Sequence, residues 1–352
     1  MQNQSYNKTE RDRIENQQSL KLKEKEEQIK QFAFYAKNPI KFIEDKFVGF
    51  NADNHKIEKL PLYDFQKQVL ESFFTDKKIF ITKSRQMFFS TMIVQYLFYK
   101  IIFGIDQEIL VVCHSRAFAV SLKKRLMLAL DHLPDFYKPE FRKDNETEIV
   151  SRNCRIQFTG GRTNAGKGSM ITTVIFDEVA YVDEFYNMWA ATAIALDATN
   201  GTTIMGTSLN NENVTFCKFY KGVLDIKNNW RHIYLHWSEN PLYNKNLMYD
   251  QEGKPHNEWY ERQCSLIPSL DGIRQELDCY FDPDLIEDRL KIKKQFKEEK
   301  LKDKIITFRL DDTLEKQLSK LIIKRTLIDG KNFNMSDYIR ELIKKDVENN
   351  NL

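Results

Sequence analysis

Short runs of apolar and β-branched residues recur along the middle of the chain and are the clearest pattern in its sequence. They occur at residues 78–82 (KIFIT), 109–113 (ILVVC), 155–158 (RIQF), 172–176 (TTVIF) and 202–205 (TTIM). Between several of them, as at residues 91–103 and 116–130, apolar positions keep a helical spacing. Continuous apolar strands that alternate with helices are typical of a parallel sheet covered on both faces. The pattern therefore predicts an α/β fold in which helices sandwich a parallel sheet.

The segments on either side of this region have a different composition. Residues 1–31 are polar and lack a hydrophobic period, which predicts a disordered segment or a frayed helix. The α/β domain is expected at residues 32–282, followed at 283–303 by a charged linker rich in Lys and Arg. Such a basic run either meets nucleic acid or forms a solvated linker helix. Residues 304–352 are expected to form a separate small module.

This last module combines one alternating run with two helix patterns. The run KIITFRL places Thr307 and Arg309 on one face of a strand, and Ser336 is a good N-cap for the second helix. One strand and two helices resemble a ribbon–helix–helix domain, which dimerises through its strand and lays the ribbon in the DNA major groove. The resemblance implies that Thr307 and Arg309 face bases and that backbone N–H groups near Ser336 hold a phosphate. A helical dimerisation module without DNA contact is the alternative.

Composition and charge exclude several classes of protein. The 352 residues are 41% hydrophobic and 30% charged, which excludes wholesale disorder and a collagen-like structure. No run approaches the roughly 20 apolar residues of a membrane span. The first thirty residues have no apolar core of a secretory signal. We therefore expect a soluble, cytoplasmic protein that does not bind membranes, and the net charge of +3 identifies no partner.

Cysteine and histidine residues do not predict a zinc site. The five cysteines lie far apart and form no CxxC pair, so we expect them to be reduced and mostly buried. His232 and His236 lie four residues apart in an alternating run, HIYLHW, and are interpreted as strand packing.

The apolar strand at 172–176 ends in two adjacent acids, Asp177 and Glu178. A nucleotide hydrolase needs such a pair, because the first acid binds the water shell of Mg²⁺ and the second polarises the attacking water. A buried strand that simply ends in two solvated acids fits the same residues. Both interpretations stay open on this pattern alone.

The segment after the strand at 78–82 has the context of a phosphate-binding loop without its defining residues. It reads KSRQMFFST, and Ser90 and Thr91 begin the helix pattern that follows. Phe88 and Phe89 stand where a phosphate loop has Gly and Lys. Neither ring donates a charge-assisted hydrogen bond, and both are expected to fill space that phosphate would need. Arg85 is expected to supply part of the missing charge.

A second segment, GRTNAGK at residues 161–167, has the spacing of a phosphate loop. Gly168 replaces the Ser or Thr that would hold Mg²⁺, and a strand follows where a helix N-terminus is needed. We therefore interpret it as a basic loop.

Together these elements resemble the ATPase domain of large terminase subunits, the ATP-driven motors that package the DNA of tailed phages. LYDFQ at 62–66 is similar to their adenine-recognition motif and SRQMFFST at 84–91 to a degenerate Walker A loop. IFDE at 175–178 is similar to Walker B with its catalytic Glu, and TIMGTS at 203–208 to the coupling motif. IRQELDCYF at 273–281 is similar to the segment that closes the domain.

The resemblance, which covers about residues 35–282, implies an ATP site with Mg²⁺. Asp177, Glu178 and Arg85 would be catalytic, and Ser90 with Asp177 would hold Mg²⁺ through water. The residues that would contact the nucleotide are Tyr63, Gln66, Ser84, Arg85, Gln86, Ser90 and Thr91.

The same resemblance implies a DNA-packaging motor whose partners are double-stranded DNA, a portal or small terminase subunit, and further copies of the chain. Thr207 and Ser208 would couple hydrolysis to movement, and Lys167 would act toward a neighbouring subunit. No nuclease activity is expected, because the residues after Phe281 show no strand with paired acids.

Two alternatives stay open beside the packaging motor. One is a catalytically inactive relative that occupies DNA or the packaging machinery as a regulator or competitor. The other is a ribbon–helix–helix DNA-binding regulator on an ATPase-fold platform. Phe88 and Phe89 leave open whether the chain hydrolyses ATP.

Overall fold

The computed structural model describes residues 2–161 and 170–281 of the chain. The chain divides into a unit of residues 1–290 and a unit of residues 291–352. The predicted linker and C-terminal module, with Thr307, Arg309 and Ser336, lie outside the described residues. Lys167 also lies outside them.

The described residues alternate helices and strands as the sequence pattern predicts. The α-helices are α1 (Gln2–Tyr35), α2 (Pro39–Lys46), α3 (Asp64–Thr75), α4 (Phe89–Phe103), α5 (Arg116–Asp131), α6 (Phe185–Thr199), α7 (Val214–Leu224), α8 (Glu258–Leu266) and α9 (Leu270–Glu276). The strands are β1 (Val48–Asn51), β2 (Lys56–Lys59), β3 (Lys78–Lys83), β4 (Gln107–Cys113), β5 (Phe141–Asn145), β6 (Glu148–Ser151), β7 (Cys154–Gly160), β8 (Thr173–Asp177), β9 (Thr202–Thr207), β10 (Arg231–Leu235), β11 (Met248–Tyr249) and β12 (Pro255–His256).

The largest sheet has eight strands in the order β10-β3-β9-β8-β4-β7-β6-β5. Its first six strands are parallel, and β6 and β5 add an antiparallel edge. The five strands predicted from sequence are β3, β4, β7, β8 and β9, and all five are present. The predicted α/β class with a mostly parallel sheet is confirmed.

Helices cover both faces of this sheet because successive strand residues point to opposite sides. Ile79 and Ile81 of β3 belong to one buried apolar cluster, formed with α3, α4 and α5. Phe80 between them belongs to a second cluster, formed with α6 and α7. The continuous apolar strands in the sequence are thus explained by burial on two sides.

The polar N-terminal segment is helical in the structure. The side chains of residues 19–31 are exposed, and only Phe32 and Tyr35 in the last turn of α1 pack on the core. Residues 19–31 of this helix include few apolar residues and cover little apolar surface.

The cysteines and His232 pack as the sequence predicts, but His236 follows β10 and its Nδ1 lies 2.9 Å from the Ser238 hydroxyl. All five cysteines lie among the described residues, none forms a disulfide, and four of them are buried. His232 lies in β10 with Nε2 2.8 Å from the Thr82 hydroxyl and 3.2 Å from that of Tyr220. Burial lowers its pKa to about 4, so the ring is neutral at physiological pH. No helix in residues 2–161 or 170–281 is long and apolar enough to cross a membrane.

Phe89 belongs to the hydrophobic core. It is the first residue of α4, its exposed fraction is 2%, and its ring meets that of Phe73 edge-on at 6.2 Å. A Cβ added at Gly206 of β9 would overlap Cε1 and Cζ of this ring. The expectation that the Phe89 ring fills the phosphate loop is therefore wrong, because the ring is buried against the sheet.

Gly206→Ala is expected to destabilise the fold by about 1–3 kcal/mol, because the added methyl group overpacks the core against Phe89. Phe89→Leu in the same chain should recover part of this loss, since it removes the ring that the methyl group meets. Urea unfolding of the two single variants and the double variant measures the coupling free energy between the sites. Gly222→Ala in α7 is the control, since its nearest atom would be 3.8 Å away. Additive single effects would contradict the packing described here.

Candidate nucleotide-binding site

Three neighbouring strands bring the motifs of the sequence to one edge of the sheet. In the order β3-β9-β8, Gly206 pairs with Ile81 on one side and with Asp177 on the other. The carboxyl ends of parallel strands point the same way, so the loops that follow them meet. The loop at 84–88, the acids after β8 and the end of β9 therefore share one site.

Asp177 is the buried anion of this site. Its exposed fraction is 0%, and Oδ2 accepts a hydrogen bond of 2.6 Å from the Ser90 hydroxyl. Burial raises the pKa of Asp177 to about 6, the charge of Glu178 adds to this, and the Ser90 hydrogen bond and the cations Lys83 and Arg125 oppose it. Oδ1 is buried and has no hydrogen-bond partner in the described structure.

The pair of Ser90 and Asp177 suits a magnesium ion. A carboxylate oxygen without a partner beside a serine hydroxyl offers two of the hard oxygen groups that Mg²⁺ prefers, and the ion completes its shell with water and phosphate oxygens. The described residues contain no group of three or more His, Cys, Asp and Glu side chains arranged as a metal site. Mg²⁺ would therefore be held jointly by this pair and by a phosphate ligand.

Glu178 joins the ends of the three strands. Its backbone is left-handed, with φ +57°, a conformation that costs a non-glycine residue about 1–3 kcal/mol. Oε1 lies 2.5 Å from Lys83 Nζ. Oε2 accepts a hydrogen bond of 3.1 Å from the Ser208 N–H and lies 3.3 Å from the Thr207 hydroxyl. The structure thus brings Glu178, directly after β8, together with Thr207 and Ser208, the two predicted coupling residues.

Lys83 is a site residue that sequence reasoning missed. It is the last residue of β3, and its side chain is only 7% exposed. A phosphate loop has its lysine at the position of Phe89, whereas the buried lysine of this chain lies six residues earlier. The sequence did contain a signal for Lys83, because the end of an apolar strand directly before a loop is an unusual position for a solvated lysine.

Ser84 and Arg85 are engaged with the other end of the domain. Ser84 Oγ is buried, donates to the Leu277 carbonyl at 2.5 Å and accepts from the Trp237 N–H at 2.9 Å. The Arg85 side chain is 69% exposed, and Nη1 lies 3.3 Å from Oε2 of Glu276. The structure does not bring Arg85 together with Asp177, and its catalytic role stays a prediction.

The middle of the loop has the backbone of a glycine turn without glycine. Gln86 has φ +61° and Phe88 has φ +57°, both in the left-handed region that favours glycine. Phe88 thus occupies the conformation expected of the missing loop glycine, directly before α4. Its ring is partly buried and lies 6.4 Å from the ring of Tyr63. Gln86 is exposed, and its carbonyl lies 3.4 Å from the Tyr243 hydroxyl.

The predicted adenine motif lies beside this loop. Tyr63 precedes α3, and its N–H donates to Oε1 of the buried Gln66 at 3.0 Å. The Gln66 oxygen therefore caps the helix, and its NH₂ group is the donor that an adenine acceptor would meet. The contact between Tyr63 and Phe88 places the motif next to the loop, as an adenine contact requires.

Thr91 is hydrogen-bonded to a residue that the sequence did not indicate. Its Oγ1 accepts a hydrogen bond of 2.6 Å from Nη2 of Arg125 in α5. The predicted site residues Ser90, Thr91, Asp177, Glu178, Thr207 and Ser208 are thus brought together, with Lys83 and Arg125 added.

Comparison with solved structures identifies the fold. No protein-family model matches the chain. The large terminase of bacteriophage HK97 is 13% identical over 69% of this chain and 54% of its own length, with a TM-score of 0.51. The fold is that of a large terminase ATPase domain. This chain spans about half of the HK97 protein.

Two further terminases show the same likeness at lower scores. A mutant ATPase domain from Thermus phage P74-26 is 15% identical over 63% of this chain and 95% of its own, with a TM-score of 0.48. The large terminase of a thermophilic bacteriophage, in complex with ADP, is 14% identical over 64% of this chain and 57% of its own, with a TM-score of 0.45. The likeness to the HK97 protein confirms, at the level of the fold, the resemblance found in the sequence.

Asp177→Asn is expected to stabilise the fold more at pH 8 than at pH 4. The pKa of Asp177 is about 6 in the folded chain and about 4 when unfolded, so burying the charge destabilises the fold fully above pH 6 and not below pH 4. The variant lacks this charge, and its relative stability should rise by about 3 kcal/mol between the two pH values.

Urea unfolding at both pH values in EDTA measures this difference. Asp53→Asn, an exposed residue in the β1–β2 turn, is the control and should show little change. An equal effect of Asp177→Asn at pH 4 and pH 8 would contradict the assignment of Asp177 as a buried carboxylate with a raised pKa.

Proposed function

We propose that this chain is the ATPase subunit of a DNA-packaging motor of the large-terminase type and binds ATP with Mg²⁺ at the edge formed by β3, β9 and β8. The observation that carries the proposal is the arrangement of Ser90 with Asp177 and of Lys83 with Glu178 at adjacent strand ends. A buried strand that merely ended in two solvated acids would leave both carboxylates in water. Here one is fully buried with a free oxygen and the other is bound by a buried lysine.

Lys83 supplies the positive charge that Phe89 cannot. It lies at the base of the phosphate loop and pairs with Glu178 in the structure. A bound triphosphate competes for the ammonium group, because phosphate oxygens offer a denser negative charge than one carboxylate. When Lys83 turns to the phosphates, Glu178 loses this partner and can polarise the attacking water. The exchange would link nucleotide binding to activation of the catalytic acid.

Thr207 and Ser208 give this exchange a route to the rest of the domain. Both hold Oε2 of Glu178, so a movement of that carboxylate changes the end of β9. The Thr207 hydroxyl also accepts a hydrogen bond of 3.3 Å from the Ala180 N–H after β8. We infer that this pair senses whether Glu178 is bound to Lys83 or to the water that attacks ATP.

The partners of the motor belong to the same proposal. Double-stranded DNA would be the translocated substrate, a portal or small terminase subunit would dock the motor, and copies of the chain would assemble around the DNA. Lys167, Thr307, Arg309 and Ser336 keep their proposed roles toward a neighbouring subunit and DNA.

Lys83→Met is expected to weaken MgATP binding at least tenfold. A charge-assisted hydrogen bond is worth about 1.5–3 kcal/mol, and tenfold in affinity corresponds to about 1.4 kcal/mol. Isothermal titration calorimetry of the full chain gives the dissociation constants, with Lys124→Met, an exposed lysine of α5, as the matched control. If the unchanged chain binds no MgATP, it is a non-catalytic relative and the proposal is wrong.

Glu178→Gln is expected to retain MgATP binding and to abolish hydrolysis. The amide keeps the size and hydrogen-bonding oxygen of the side chain but cannot act as a base. Phosphate release from the full chain with and without duplex DNA measures hydrolysis. Glu184→Gln, an exposed residue before α6, is the control. Hydrolysis by Glu178→Gln at the wild-type rate would exclude Glu178 as the catalytic acid–base group.

A further inference from the structure

Helix α5 carries a cation that no described carboxylate neutralises by contact. Arg116 near its start pairs with Glu146 at 2.7 Å, and Lys123 pairs with Asp144 at 2.5 Å. Arg125 lies on the same helix and is partly buried, but among residues 2–161 and 170–281 it is in no ion pair. Its hydrogen bond to the Thr91 hydroxyl engages one of five N–H donors.

The guanidinium of Arg125 lies at the first turn of α4. Thr91 follows Ser90 directly, and Ser90 is bonded to Asp177. Burial lowers the pKa of Arg125, and the nearby charge of Asp177 opposes this. Arg125 therefore lies beside the loop and the magnesium pair, close enough to Asp177 for the two charges to interact.

A purely structural role does not account for a charged residue here. A neutral donor could make the bond to Thr91 without the cost of burying a guanidinium, which is large when no anion contacts it. Mg²⁺ bound at Asp177 would neutralise the one nearby charge that favours Arg125. A phosphate group carried in with the metal replaces that charge, and the planar fork of arginine fits phosphate oxygens in a bidentate manner.

We propose that Arg125 is a phosphate-binding residue that contacts the phosphate chain of the bound nucleotide and, with Lys83, replaces the charge absent at Phe89. The inference rests on the proposed function, since it names a further ligand-binding residue of that site. Thr91 acts as a positioning residue, because its hydroxyl fixes the guanidinium at the start of α4.

The test compares ligands with and without phosphates in the full chain. Arg125→Met keeps the length of the side chain and removes its charge, and it should weaken MgATP and magnesium tripolyphosphate binding about tenfold or more. Adenosine binding should change less than twofold, because adenosine has no phosphate. Arg125→Lys should lose less than Arg125→Met, and Thr91→Val should give a smaller loss through the unfixed guanidinium. Arg116→Met, on the same helix, should bind all three ligands like the unchanged chain.

Thermal unfolding of each variant separates binding from folding. If Arg125→Met lowers the unfolding midpoint and still binds MgATP like the unchanged chain, Arg125 is a structural link and the inference is wrong. If Arg125→Met does not fold, Arg125→Lys and Thr91→Val decide. The inference is overturned if both variants bind MgATP with the affinity of the unchanged chain. It is supported if Arg125→Lys loses affinity selectively for the ligands that carry phosphates. If Lys83→Met weakens MgATP binding and Arg125→Met does not, this inference is overturned and the proposed function is not. Absence of MgATP binding in the unchanged chain overturns the proposed function as well.

Discussion

The ion pair between Lys83 and Glu178 is the contact on which the candidate site depends. It joins the end of β3 to the turn after β8, and the other oxygen of Glu178 holds the end of β9. Removing one partner would leave a poorly solvated charge, which is more destabilising than never having formed the pair. Glu178 keeps its left-handed backbone because these contacts fix it from both sides. The site is thus held together by the charges of Lys83 and Glu178, and a bound nucleotide would have to separate them.

The loop between β3 and α4 is fixed from outside as well as by its own residues. The Arg85 N–H donates to the Glu276 carbonyl at 2.7 Å, and the Ser84 hydroxyl donates to that of Leu277. The closing segment of the domain therefore sets the loop's course. This explains how Gln86 and Phe88 keep positive φ values without glycine, since the surrounding contacts offset the strain. A change of the loop would also reach α9 through these hydrogen bonds.

The loop between β3 and α4 lacks the Gly and Lys of a phosphate loop and still has the strand–loop–helix arrangement. Phe89 fills core volume that the absence of a side chain at Gly206 leaves open, and it contributes nothing to the charge of the site. Two cations act on Asp177 instead: Lys83, at the end of the strand before the loop, and Arg125, in a neighbouring helix. A cation buried near the strand ends acts over a short distance at low effective dielectric, so its position in the sequence matters less than its position in space.

The sequence by itself determined the features that are local in the chain. The five apolar strands and the acids after residue 176 follow from side-chain periodicity, which depends on neighbours two to four residues away. Order and spacing of the motifs were enough to identify the terminase ATPase fold. Ser90 and Asp177, which the sequence assigned to one site, lie within hydrogen-bond distance of each other because both are at element ends that a parallel sheet places together.

Only the tertiary structure decided which charged groups meet. Lys83 and Glu178 are 95 residues apart, and Arg125 and Thr91 are 34 apart, so no periodic pattern connects them. The same holds for Phe89 of α4, whose ring packs against Gly206 of β9, and for Arg85, whose side chain lies beside Glu276. The direction of a side chain at a loop or helix end follows from the space and partners around it, and these exist only once distant strands have paired.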